Sequence, residues 1–159
     1  MKTEKKQLIE LPSFELNSHG IPEDNAIRAY DTDGIVCLRK VFEASWIEML
    51  EEGMEIAINK GADRESVFRI TESEESGIFF YDTFMWKHID HFRKFVFESP
   101  VADIAMNIMR STNLLFYFDF MLVKEPGTSA KTPWHYDEAY WPVAGSKICN
   151  FWVTLDEIP

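Results

Sequence analysis

The chain is poor in the residues that most often announce a chemistry. It has 2 cysteines and 4 histidines in 159 residues. Cys37 and Cys149 sit in apolar surroundings with no CxxC spacing, so they read as small buried hydrophobes in a reducing cytoplasm. No apolar run reaches membrane length, and the N-terminus lacks the apolar core of a signal peptide, so no membrane partner is expected. Basic residues are scarce as well: 16 against 27 acidic ones give a net charge of −11. Lys2, Lys5 and Lys6 lie on a polar tail and the other basic residues are dispersed. Such a surface repels a phosphate backbone, which argues against a nucleic-acid partner.

What is present suits one domain with a substantial core: 46% hydrophobic and 14% aromatic residues. Residues 1 to about 20 read as a polar lead-in and 21 to 159 as a single unit, with no internal repeat or linker. A short helix is expected from Asn25 to Asp33, closed by Gly34, and a buried strand in "GIVCLRKVF". Ser45 and Glu48 match a capping box ahead of an amphipathic helix running to Gly61. Residues 61 to 77 read as a charged loop, "GIFFYDTFMW" as a strand, and "HIDHFRKFVFE" as a helix. Ser99 and Pro100 begin a further helix that ends near Arg110. The stretch "LLFYFDFMLVK" predicts a strand buried on both faces, in which Asp119 must be paired or aimed into a polar cavity. "KICNFWVTLDEIP" predicts a last strand.

The densest chemistry lies in "TPWHYDEAYW", residues 132 to 141. On an extended segment, side chains at i and i+2 share a face, so His135 and Asp137 can converge on one metal ion. The spacing alone is weak, because H-x-D recurs at His88 and Asp90. There the helical periodicity turns the two side chains about 200° apart, which reads as a solvated surface. Around His135, Pro133 favours extended backbone, and Trp134, Tyr136, Tyr140 and Trp141 are positioned to wall a pocket. The competing interpretation is a histidine and an aspartate hydrogen-bonded to each other at the rim of a barrel. One imidazole and one carboxylate are two ligands of the three in a minimal non-haem iron site.

Three stretches in order, "DTDGIVCLRKVF", "MLVKEPGTSAKTPWHYDEAYW" and "NFWVTLDEIP", resemble the phytanoyl-CoA dioxygenase family of Fe(II)- and 2-oxoglutarate-dependent oxygenases. The resemblance runs from about Tyr30 to the end. It implies an α+β fold in which N-terminal helices pack on an incomplete double-stranded β-helix of jelly-roll, cupin-like type. By the same resemblance His135 matches the first iron ligand and Asp137 the carboxylate ligand. Trp152 falls at an aromatic position beside the 2-oxoglutarate pocket, and Lys124 matches a lysine often found before the loop. Asp137 also points to hydroxylation, since halogenating relatives carry a small residue there. Tyr136 stands where relatives often have glutamine. Tyr140 and Trp141 are candidate substrate contacts, with rim packing as the alternative.

Relatives continue into a second histidine and an arginine, so the chain is expected to be the N-terminal portion of a dioxygenase domain that continues past Pro159. The implied reaction hydroxylates a small organic substrate with O2, releasing succinate and CO2; the 159 residues alone are expected to be inactive. The other reading is a truncated, non-catalytic relative serving as an interaction or oligomerisation module.

Overall fold

The computed structural model describes residues 12–60, 68–70, 77–129 and 131–157. Strand β1 (Ser13–Glu15), helix α1 (Asp24–Asp33), strand β2 (Cys37–Arg39) and helix α2 (Ala44–Lys60) come first. Strands β3 (Phe68–Ile70) and β4 (Phe79–Thr83) then lead through a 3-10 turn at Met85–Lys87 into helices α3 (Asp90–Glu98) and α4 (Val101–Ile108). Strand β5 (Phe120–Lys124) and a second 3-10 turn at Asp137–Tyr140 complete the order. No helix among the described residues is long and apolar enough to cross a membrane.

Local chemistry accounts for some of the helix ends. Gly34 adopts φ 73°, the left-handed conformation that costs a residue without Cβ least, and its N–H donates to the Tyr30 carbonyl at 2.8 Å. Helix α2 begins at Ala44, which places Ser45 inside the first turn rather than ahead of it as a cap. Helix α3 begins at Asp90, so His88 lies outside it; its N–H closes the preceding 3-10 turn on Met85, and both His88 and Asp90 are exposed. Helix α4 starts with the Val101 N–H directed at the Ser99 hydroxyl, 3.3 Å away.

Two apolar clusters hold the elements together. The larger joins α2, α3, β4 and β5 through Leu50, Ala57, Phe80, Met85, Ile89, Phe92, Phe95 and Met121. Gly53 lets α2 and α3 approach, since a Cβ there would stand 3.0 Å from the His91 Cβ and 3.1 Å from the Phe92 ring. The smaller cluster packs Ile27 of α1 against Ile104 and Ile108 of α4, under Leu16, Val36 and Leu38 from the β1 and β2 region.

The sheets are small. β1 and β2 pair in parallel, with Phe14 opposite Leu38, and β3-β4-β5 form an antiparallel sheet with Phe80 opposite Val123. The mixed helix and strand content agrees with expectation, but the described residues form these two sheets and not a barrel. The strand expected over residues 114–124 is confined to Phe120–Lys124, and it alternates instead of being buried on both faces: Met121 is buried whereas Phe120 and Leu122 are exposed. The physical reason is that β4 pairs with one edge of β5 and the core covers only one of its faces. Residues 147–157 form no strand among the described residues, although Val153 and Leu155, two apart, both pack on the larger core. Ser13–Glu15 pairs with β2 inside the stretch expected as a polar lead-in. Most of the loop expected at 61–77 lies outside the described residues; Phe68–Ile70 within it is a strand. Both cysteines are half-buried rather than fully buried.

Candidate metal centre

The loop that carries His135 is anchored where the end of β5 meets the start of β4. Glu125 holds Ile78 twice: its N–H donates to the Ile78 carbonyl at 2.9 Å, and its carboxylate accepts the Ile78 N–H at 3.0 Å. Gly77 sits so close to this turn that an added Cβ would press on the Pro126 carbonyl oxygen and lie 2.8 Å from that of Glu125. Lys124, the last residue of β5, lies over the Phe79 ring with its ammonium 5.0 Å from the centroid and donates to the Thr132 hydroxyl at 3.0 Å. The lysine thereby ties the strand to the first residue of the decapeptide.

Beyond Thr132 the chain is neither helix nor strand until the 3-10 turn that begins at Asp137, and His135 and Asp137 face each other. His135 Nε2 stands 3.1 Å from Asp137 Oδ1, and His135 Nδ1 stands 2.7 Å from the Pro133 carbonyl oxygen. A carbonyl only accepts, so Nδ1 carries a proton. With Nδ1 protonated, a neutral ring presents its Nε2 lone pair to a carboxylate oxygen, which is two acceptors in contact. The pair is satisfied by a second proton on the ring or by a cation shared between Nε2 and Oδ1. The other carboxylate oxygen, Oδ2, accepts from Asn150 Nδ2 at 2.8 Å.

These donors fit a divalent transition metal. Two ligands placed side by side at about 2.1 Å from such an ion are about 3 Å apart, close to the separation found here. One imidazole nitrogen and one carboxylate oxygen are also the ligand types that suit Fe(II). Among the described residues no group of three or more His, Cys, Asp or Glu side chains converges to complete a site. The pair is also open, with the side chains of His135 and Asp137 36% and 45% exposed.

The aromatic neighbours divide. The Tyr140 ring meets the His135 ring edge-on with centroids 6.0 Å apart, and Trp141 packs edge-on against Phe118 at 6.1 Å. Trp134 and Tyr136 are exposed, so they do not wall a water-excluding pocket as their positions suggested. Trp152 is 85% exposed. Two grooves lie elsewhere: one beside the start of α1, lined by Asn17, Glu23 and Arg28, and one along α3 at Arg93 and Phe97.

Sequence reasoning missed Asn150. Its only signal is its place in "ICNFWV", two residues before Trp152. Asp119, expected to be paired or aimed into a polar cavity, is only half paired. It precedes β5, its Oδ2 accepts the Trp86 N–H at 2.9 Å, and its backbone carbonyl accepts the Phe84 N–H at 3.0 Å. Phe84 has φ 58°, a strained value for a residue with a Cβ, so Asp119 clasps a turn that needs holding. Asp119 Oδ1 is buried without a hydrogen-bond partner, as is the Trp86 indole N–H. Burial pushes the Asp119 carboxyl up to about 6; backbone N–H groups, chiefly that of Trp86, pull it down, and the fully buried Asp82 nearby adds to the rise.

A family model described as phytanoyl-CoA dioxygenase matches residues 30–159, most of the chain and all of the decapeptide. Neither the curated proteins nor the solved structures give a match.

Proposed function

Because the chain belongs to the phytanoyl-CoA dioxygenase family, we propose that it forms the metal-binding portion of an Fe(II)- and 2-oxoglutarate-dependent oxygenase that hydroxylates a small organic substrate. The observation that carries this is the His135 to Asp137 contact of 3.1 Å inside the matched region, with Nδ1 of the ring already spent on Pro133. That arrangement leaves Nε2 and Oδ1 as the two atoms turned toward a cation. Bound Fe(II) with 2-oxoglutarate supplies the oxidant, made from O2, that converts a substrate C–H bond into C–OH while 2-oxoglutarate leaves as succinate and CO2.

The chain's own residues hold and orient. His135 donates Nε2, Asp137 donates Oδ1 and supplies the negative charge, and Lys124 with Glu125 fixes the loop on the paired strands β4 and β5. Tyr140, edge-on to the ligand ring, and Trp141, seated on Phe118, would offer apolar contact to a substrate. Trp152 is assigned to the 2-oxoglutarate side of the site. In this reading a second histidine and an arginine complete the site, and the whole domain is a jelly roll. The exposed Leu115, Phe116, Phe120 and Leu122 favour a second reading, an interaction module without catalysis.

The deciding measurement is Fe(II)-dependent formation of succinate from 2-oxoglutarate by the full-length protein. His135→Ala and Asp137→Ala should each lower the rate at least a hundredfold. Succinate formation indifferent to both substitutions overturns the ligand assignment, and its complete absence under any metal supports the interaction module.

A further inference from the structure

The second carboxylate oxygen of Asp137 is not left to solvent. Asn150 Nδ2 donates to Asp137 Oδ2 at 2.8 Å while Oδ1 faces His135 Nε2. The amide has one sensible orientation, because its flip would place a carbonyl oxygen against a carboxylate oxygen with no proton between them. We infer that Asn150 is a positioning residue for the metal centre, acting through Asp137 to present a single carboxylate oxygen; this rests on the proposed role of His135 and Asp137 as ligands.

A carboxylate free to rotate offers a metal one oxygen or both. With Oδ2 engaged by the amide, Oδ1 alone is turned toward the imidazole nitrogen, and Asp137 would offer a bound metal one oxygen rather than two. The amide is neutral, so it fixes the carboxylate without cancelling the charge that attracts the cation. Pro133 does for His135 what Asn150 does for Asp137: each ligand has one partner that points its remaining donor atom at the same place. The contact also spans 13 positions, joining the ligand loop to the segment that carries Trp152.

The test is Asn150→Leu in the full-length protein, with Asn150→Ala beside it, each titrated with Co(II) and followed by calorimetry and by ligand-field absorption. Asn150 is exposed, so neither substitution opens the core. Co(II) binding should weaken about tenfold, with the thermal midpoint unchanged and with an altered absorption band as the freed Oδ2 enters the coordination sphere. Affinity and spectrum identical to the parent protein overturn the positioning role while leaving the ligands in place. Co(II) binding that is absent in the parent, or unaffected by His135→Ala, removes the ligand assignment itself and the inference with it.

Discussion

Replacing Asp119 by asparagine should stabilise the protein at neutral pH, and the size of the effect follows from the burial of the carboxyl. Burial raises the group from the ordinary 3.8 to about 6. Its folded-state value therefore lies above its unfolded one, and between these pH values the native protein keeps a proton that the unfolded chain has released. The contribution to stability is present in full below about pH 4, declines as pH rises through about 6, and becomes a fixed penalty above that. At 1.36 kcal/mol per pH unit the difference is worth about 3 kcal/mol as an upper figure, and about 2 kcal/mol once partial exposure is allowed for. Asparagine keeps an acceptor for the Trp86 N–H and removes the buried charge beside Asp82. Urea unfolding followed by tryptophan fluorescence, run on both proteins from about pH 4 to about pH 8, isolates this group, since other carboxylates cancel in the difference. The Asp119→Asn variant should be the more stable form at about pH 7.5 by about 2 kcal/mol, a midpoint shift of about 1 M urea, with the gap closing toward acid pH. A constant gap across the range, or a variant less stable than the parent at the alkaline end, refutes the burial argument.

Two further substitutions test the packing. Gly77→Ala should cost about 1–3 kcal/mol, because its Cβ meets backbone carbonyls of Glu125 and Pro126 that have no side-chain freedom to withdraw; a thermal midpoint equal to the parent's would contradict the close approach. Ile104→Ala, at a fully buried position between α1 and α4, should cost about 2–5 kcal/mol, and a loss below about 1 kcal/mol in urea unfolding would mean the smaller cluster contributes little.

Where sequence and structure agree, the controlling contacts are short in range. Gly34 ends α1 because its own backbone takes the left-handed turn, and Ile104 and Ile108 share a face because four residues make about one helical turn. His135 and Asp137 meet for the same reason: the Pro133 carbonyl that orients the ring is two residues away. One disagreement arises where burial was read from composition. "LLFYFDFMLVK" is apolar enough for a strand covered on both faces, yet only Phe120–Lys124 finds a partner strand and its outer side chains stay exposed. The capping box failed by two residues, since the Trp46 N–H closes on the Glu43 carbonyl and the helix starts at Ala44.

By itself, then, the order of residues determined the helices, the acidic surface, the family and the pairing of an imidazole with a carboxylate two positions on. Apart from the family, which three separated stretches in order carry, each depends on composition or on contacts within a few residues. Tertiary structure alone decided that Asn150 reaches Asp137 across 13 positions and that Asp119 clasps Trp86 across 33. It also decided that Lys124 lies on Phe79 from the neighbouring strand. These contacts depend on the path of the chain between the partners, which no local pattern records.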